Sequence, residues 1–240
     1  MDRLLAWEDC HNARHIGGYV TALGAATRAD AIIRSDSLHR LTARGRRAVV
    51  DAGVSLIVDL RNDDELERYP NPFAELRQPG DPRYANLPFL DTANEAAIER
   101  LRTANGIDVA YRGMVDDFAT NVGRILSAIA DAGIGPVVVH CHAGKDRTGI
   151  VVAMMLDLVA VPGATVEADY AESEVNLFRL ITQWMVEERQ ADRARYGSPA
   201  SAIAAVLTHL RERYGGTEGY LSAAGLDAPA IDRLRRRVIG

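Results

Sequence analysis

The chain has 240 residues, 48% of them hydrophobic and 25% charged, a normal globular balance with material for one sizeable core. At this size no metal or disulfide staple is needed. The formal net charge of −5 excludes a global attraction to nucleic acid or to anionic membrane surfaces, so any anion site must be local.

In chain order, "HIGGYVTALGAATRADAIIRSDSL" combines paired glycines, short β-prone pieces and turn residues. It predicts a small hairpin region, with Arg34, Ser35 and Asp36 just after the strand "AII". "LTARGRRAVVDAG" predicts a helix with Thr42 as N-cap and Gly53 beyond its end. "VSLIVDL" is a continuous apolar run, the mark of a strand covered on both faces. Residues 61–84 are charged and hold four of the nine prolines; they read as a loop with a helical turn or two, ahead of a short strand at "YANLPFL". From Asp108 to Ala132 the pattern predicts one helix, with Val115, Phe118, Val122, Ile125, Leu126 and Ile129 on a single stripe. "VVVH" is the next strand, and "TGIVVAMMLDLVAV" is an apolar-rich helix ended by Pro162 and Gly163. Only helical patterns follow, at 165–191, about 199–214, and 228–239.

This alternation predicts an α/β fold with a mostly parallel central sheet flanked by helices. Residues 1–240 read as one domain: an α/β core with the N-terminal hairpin region over 1–164, and a helical extension over 165–240 that is either packed core or a lid.

The densest chemistry lies in "VVVHCHAGKDRTGIVV", read as strand, tight turn and helix. Ligands of open α/β sheets bind outside the carboxyl ends of the strands. The next helix points its free N–H groups and positive end back at the turn, which forms a concave nest for a phosphate. Gly144 supplies conformational freedom, and small Ala143 lets the backbone approach a ligand. Five residues separate Cys141 from Arg147, so a thiol at the bottom of the nest faces a guanidinium at its rim. Arg offers a planar fork to two phosphate oxygens. A helix N-terminus with nearby cations lowers a thiol pKa by one to several units. Cys141 then attacks phosphorus as a thiolate, and Thr148 donates a hydrogen bond to it.

"HCHAGKDRTG" resembles the Cys-x5-Arg signature of the cysteine-dependent protein tyrosine phosphatases, and its Ala-Gly-Lys-Asp-Arg-Thr-Gly form resembles the bacterial tyrosine phosphatase B-like branch. The blocks "NARHIGGYVTALG…IIRSDSLHRLT", "GVSLIVDLRNDDE", "ADYAESEVN" and "YGGTEGYLSAAGL" stand in that branch's order, so the likeness covers nearly the full chain. It implies hydrolysis of phosphotyrosine, with phosphoserine, phosphothreonine or phosphoinositide as further substrates, and a phosphorylated protein or phosphoinositide as partner. It departs from the branch at Asn12-Ala13-Arg14-His15-Ile16-Gly17-Gly18, where an aromatic and an acid are missing.

The expected phosphate-binding residues are His142, Ala143, Gly144, Lys145, Asp146 and Arg147. His140 reads as a shaper of the loop, and His142 either lines the pocket or faces solvent. Lys145 is taken as a phosphate-side cation. Asp146 is turned away to fix Arg147, or it positions an inositol or water. The leaving oxygen needs a proton donor. Asp59 resembles the acid of the branch's Asp-Leu-Arg block and is preferred to Asp91, which resembles the acid loop of dual-specificity phosphatases. Arg61 is then an orienting partner or a surface charge. Cys141, Arg147 and Asp59 form the expected catalytic set. No metal or other cofactor is expected, because Arg147 and the helix end supply the positive charge.

Cys10 and Cys141 make no metal or disulfide framework, so Cys10 reads as a bystander and the cytosol is the expected compartment. "MDRLLAWEDCHNARHIGGY" lacks the pattern of a secretory signal, and no apolar run is long enough to span a membrane. Phe178, Leu180, Ile181, Trp184 and Met185 share helical faces that suit core packing or a lid. Arg233, Arg235, Arg236 and Arg237 read as the solvated face of the last helix.

Overall fold

The computed structural model describes residues 3–74, 78–187 and 196–240. Five strands form one sheet: β1 (Arg14–His15), β2 (Ile32–Ser35), β3 (Leu56–Asp59), β4 (Arg83–Asn86) and β5 (Val137–His140), in the order β1-β2-β5-β3-β4. β1 is antiparallel to β2, and the other pairs are parallel. The parallel register sets Ser35, His140, Asp59 and Asn86 side by side at one rim. β5 sits at the centre, so its carboxyl end opens onto the middle of that rim.

Strand residues alternate between two cores, as a period of two requires. Ile32, Leu56, Val58, Val137 and Val139 face one core. Ile33, Ile57 and Val138 face a second, built with Trp7, Leu38, Leu41, Val49 and Phe73. Both faces are covered, which is why these strands read as unbroken apolar runs. The second core holds α1 (Ala43–Asp51), whose N-cap Thr42 accepts the Gly45 N–H at 3.1 Å. On the same rim as the strand ends lies α2 (Asp63–Arg68), closed by a capping box between Asn62 and Glu65.

The first core is built from helices. The single helix expected over 108–132 is two, α4 (Ile107–Asp117) and α5 (Ala119–Ala130), joined at Phe118 with φ −117° and ψ 25°. α4 packs on α3 (Glu95–Arg102), a short helix with no sequence expectation, whereas α5 packs on the last helix of the chain. One straight rod cannot meet both partners. α6 (Asp146–Leu158) follows β5 directly and is buried nearly all round. The helix expected from 165 starts earlier, at Pro162–Gly163, and splits at Leu177 into α7 (Gly163–Asn176) and α8 (Phe178–Glu187). The side chain of Trp184 and residues 188–195 lie outside the described residues. α9 (Ala200–Tyr214), α10 (Thr217–Ala223) and α11 (Ala228–Ile239) complete the chain, α10 being too short to announce itself by periodicity. Tyr170, Ile203, Tyr220 and Leu234 from these later helices join the same core as Val139. No helix among the described residues is long and apolar enough to cross a membrane.

Candidate active site

Between β5 and α6 the chain turns through Cys141–Lys145, and four successive carbonyls of this turn are held from outside. Cys141 O lies 3.0 Å from His140 Nδ1, and His142 O accepts the Ser37 N–H at 2.9 Å. Ala143 O and Gly144 O accept Asn12 Nδ2 at 3.1 and 3.2 Å, and Gly144 O also accepts Arg34 Nη2 at 2.9 Å. In a planar trans peptide the N–H points opposite to the preceding carbonyl. The N–H groups of residues 142–145 therefore turn inward, toward the centre of the loop, and α6 adds the N-terminal end of a helix. Gly144 has φ +65°, and a Cβ there would lie 2.1 Å from Ser35 O; no other residue fits. The departing block "NARH" thus acts from beneath: Asn12 braces the loop, while Arg14 and Arg34 share Asp169, the latter at 2.5 Å.

Cys141 is 2% exposed at the bottom of the loop. Thr148, expected to donate to its sulfur, is fully buried, and its Oγ1 has no partner among the described residues. Arg147 projects across the loop, and its fork is gripped by Glu65 at 2.6 and 2.8 Å. Burial works against the charge on Arg147, yet the Glu65 hydrogen bonds and the Cys141 charge raise its pKa above the ordinary guanidinium value. Burial likewise works against ionisation of Glu65, but Arg147 and the Asn62 N–H hold its carboxyl below the usual range. Glu65 was missed in the sequence. The signal was available, because Asn62-x-x-Glu65 is a capping-box spacing and such a helix end has a defined direction.

The expectation that Asp59 supplies the proton meets a different geometry. Asp59 is fully buried, and its Oδ1 accepts Arg61 Nε at 2.9 Å. Its Oδ2 accepts Arg61 Nη2 at 2.7 Å, Tyr84 Oη at 3.1 Å and Asn71 Nδ2 at 3.3 Å. Burial pushes its pKa up, but His140 and Arg61 outweigh burial and hold it below the usual carboxylate range. An ionised carboxylate with both oxygens occupied is an acceptor, not a donor. Arg61 is its orienting partner, and His140 completes the group at 3.3 Å from Oδ2. Burial lowers the His140 pKa; its Nδ1 lies 3.0 Å from Cys141 O and its Nε2 3.0 Å from Asn71 Nδ2. Asp91 is exposed and accepts the N–H of Ala93, as a loop acid does.

Lys145, expected beside the phosphate, reaches elsewhere. It is 7% exposed, and its Nζ donates to the carbonyls of Tyr196 and Gly197, both at 3.1 Å. It ties the loop to the segment ahead of α9. Ala143 packs against Leu177, Leu180 and Ile181 at the start of α8, so this apolar face lies on the loop itself. Asp146 begins α6 with its side chain 37% exposed and its Oδ1 hydrogen-bonded by Tyr111 Oη. His142 is half-buried among His39 and Tyr69, with ring centroids 6.2 and 5.6 Å away. Burial, Arg40 and His142 lower the His39 pKa to about 4. Cys10 donates to Asp36 Oδ1 at 2.9 Å, and burial with that carboxylate pushes its thiol well up. It lies in the second core and Cys141 in the first, with the sheet between them.

A thiol and a guanidinium with five residues between them, on an inward-facing loop at the carboxyl end of a parallel sheet, define the class of cysteine-dependent phosphatases. The chain matches the tyrosine phosphatase family over residues 5–240, and it belongs to that family. Among its relatives is a tyrosine-protein phosphatase of Nostoc commune, 31% identical over 88% of this chain and 74% of the relative. Another is the triple specificity protein phosphatase PtpB of Mycobacterium tuberculosis, also 31% identical, over 95% of this chain and 96% of the relative.

Proposed function

We propose that residues 1–240 act as one catalytic unit that hydrolyses phosphomonoesters, protein phosphotyrosine first, with phosphoserine, phosphothreonine and phosphoinositide headgroups as further substrates. The observation that carries the reading is the ring of inward N–H groups opposite the Arg147 fork, an anion cradle with Cys141 at its base. The relative named for triple specificity supports the breadth. A cytoplasmic setting suits a thiol that must stay reduced.

In the first step the Cys141 sulfur attacks phosphorus, an S–P bond forms, and the P–O bond to the leaving group breaks. Arg147 and the N–H groups of residues 142–147 hold the three equatorial oxygens as charge redistributes. Glu65 keeps the Arg147 fork in plane. The leaving oxygen takes a proton from Asp146, the one carboxyl within the loop, which is partly exposed where Asp59 is sealed. Water then attacks the phosphocysteine and returns a proton to Asp146, the S–P bond breaks, and inorganic phosphate leaves. Asp59 with Arg61 and His140 holds the floor of the loop.

Cys141→Ser should retain vanadate or phosphate binding within about threefold and lose more than about a thousandfold of turnover on p-nitrophenyl phosphate. Steady-state rates with a binding titration check this. Turnover near the parent level would sink the mechanism.

A further inference from the structure

Asp146 is held by a device that the family signature does not contain. Tyr111 Oη donates to Asp146 Oδ1, and the Tyr111 oxygen lies 2.7 Å from Tyr170 Oη. Because Tyr111 gives its proton to the carboxylate, its oxygen accepts from Tyr170, and the two phenols form a directed chain ending at Asp146. Three helices supply the three groups: α4, α7 and the first residue of α6. Tyr111 and Tyr170 are 3% and 1% exposed, and their rings meet edge-on with centroids 6.2 Å apart. Room for the second ring exists only because residue 149 is glycine, where a Cβ would lie 2.7 Å from Tyr170 Cδ2.

The arrangement is asymmetric. Tyr111 and Lys145, the latter at 3.5 Å, both face Oδ1, whereas Oδ2 has no partner among the described residues. Burial and the Asp146 charge push the Tyr111 hydroxyl well above the ordinary phenol range, so it remains a proton-bearing donor wherever the enzyme works.

We infer that Tyr111, backed by Tyr170, is a positioning residue for departure of the leaving group: it occupies Oδ1 and so presents Oδ2 of Asp146 to the leaving oxygen. This rests on Asp146 being the proton donor. A hydroxyl placed to fix one rotamer of an acid acts only when the leaving oxygen needs its proton. Esters of acidic phenols depart almost unaided, so their hydrolysis should ignore Tyr111. Esters of weakly acidic phenols should not.

The test is kcat/KM, which reports the steps through leaving-group departure, for p-nitrophenyl and phenyl phosphate in the full chain and in Tyr111→Phe, Tyr170→Phe and Asp146→Asn. Phe keeps each ring and removes only the hydroxyl. For Tyr111→Phe the expected result is a loss of about tenfold or more on phenyl phosphate and under about threefold on p-nitrophenyl phosphate, with vanadate inhibition retained. Tyr170→Phe should move the same way by less, and it stands in if Tyr111→Phe does not fold. Equal losses on both esters, or none on either, in Tyr111→Phe while Asp146→Asn separates the two esters overturns the role of Tyr111 alone. No separation in Asp146→Asn overturns the donor assignment and this role with it.

Discussion

Asp59 and Asp146 are both acids near one phosphate loop, and their surroundings assign them opposite tasks. Asp59 is sealed under the loop with its charge matched by Arg61 and its oxygens also held by Tyr84 and Asn71. Asp146 stands at the start of α6 with one oxygen held and the other free among the described residues. Removing one partner of a buried ion pair leaves the other charge uncompensated, which costs about 3–5 kcal/mol. Asp59→Asn is therefore expected to lose roughly 3 kcal/mol in urea unfolding. Its relative rates on phenyl and p-nitrophenyl phosphate should match the parent's, because the proton comes from elsewhere. A selective loss on phenyl phosphate would return Asp59 to the donor role. The strand-end position of Asp59 was legible from "VSLIVDL", since the apolar run ends there. Its acceptor contacts were not, because Asn71 and Tyr84 arrive from two other parts of the chain.

The elements meet the sequence pattern wherever one partner decides them. β2, β3 and β5 are buried on both faces, and β3 and β5 show as apolar runs, whereas the edge strand β4, Arg83-Tyr84-Ala85-Asn86, is partly exposed. Helices that serve two partners break where the pattern shows nothing: Phe118 is as apolar as the stripe it interrupts, and Leu177 likewise. α6 illustrates how packing overrides propensity. Glycine inside a helix costs about 1 kcal/mol relative to alanine, yet Gly149 sits in its first turns beneath the Tyr170 ring. Gly149→Ala should therefore be net destabilising, with overpacking of about 1–3 kcal/mol outweighing the gain in propensity. It should also imitate Tyr170→Phe on phenyl phosphate. Urea midpoints and the two-ester comparison check both points; a stabilised variant would mean that the Tyr170 ring yields without strain.

At the scale of the whole molecule, pH reads out the buried charges. His39 has a pKa lowered to about 4, and burial lowers His140 and His142 too. Between the ordinary histidine value of about 6.5 and these lowered values, the unfolded chain binds protons that the folded chain refuses. Stability is therefore full above about pH 6.5 and declines as pH falls toward 4. Asp59, Glu65 and Asp169 are held below their ordinary values by their Arg and His partners despite burial. Their contribution is present above about pH 4 and is lost as pH falls through the lowered values. Urea unfolding at pH 8, 6.5, 5 and 3.5 should show a flat region and then two successive declines. His39→Gln should shrink the first decline and leave the second; an unchanged first decline in that variant would remove His39 from the account.

The amino-acid sequence by itself determined the sheet, the site and the class of chemistry. Each of these is written in neighbours along the chain: apolar runs for the inner strands, and a thiol, a glycine and a guanidinium within one turn for the loop. Only the tertiary structure decided which groups serve that loop. Glu65 reaches Arg147 from 82 residues away, Tyr111 reaches Asp146 from 35, and Lys145 turns from the expected phosphate to the carbonyls of Tyr196 and Gly197. The reason is physical. A backbone turn is specified by local dihedral preferences, whereas the direction of a long or titratable side chain is chosen by whichever partner the packing brings within hydrogen-bond reach.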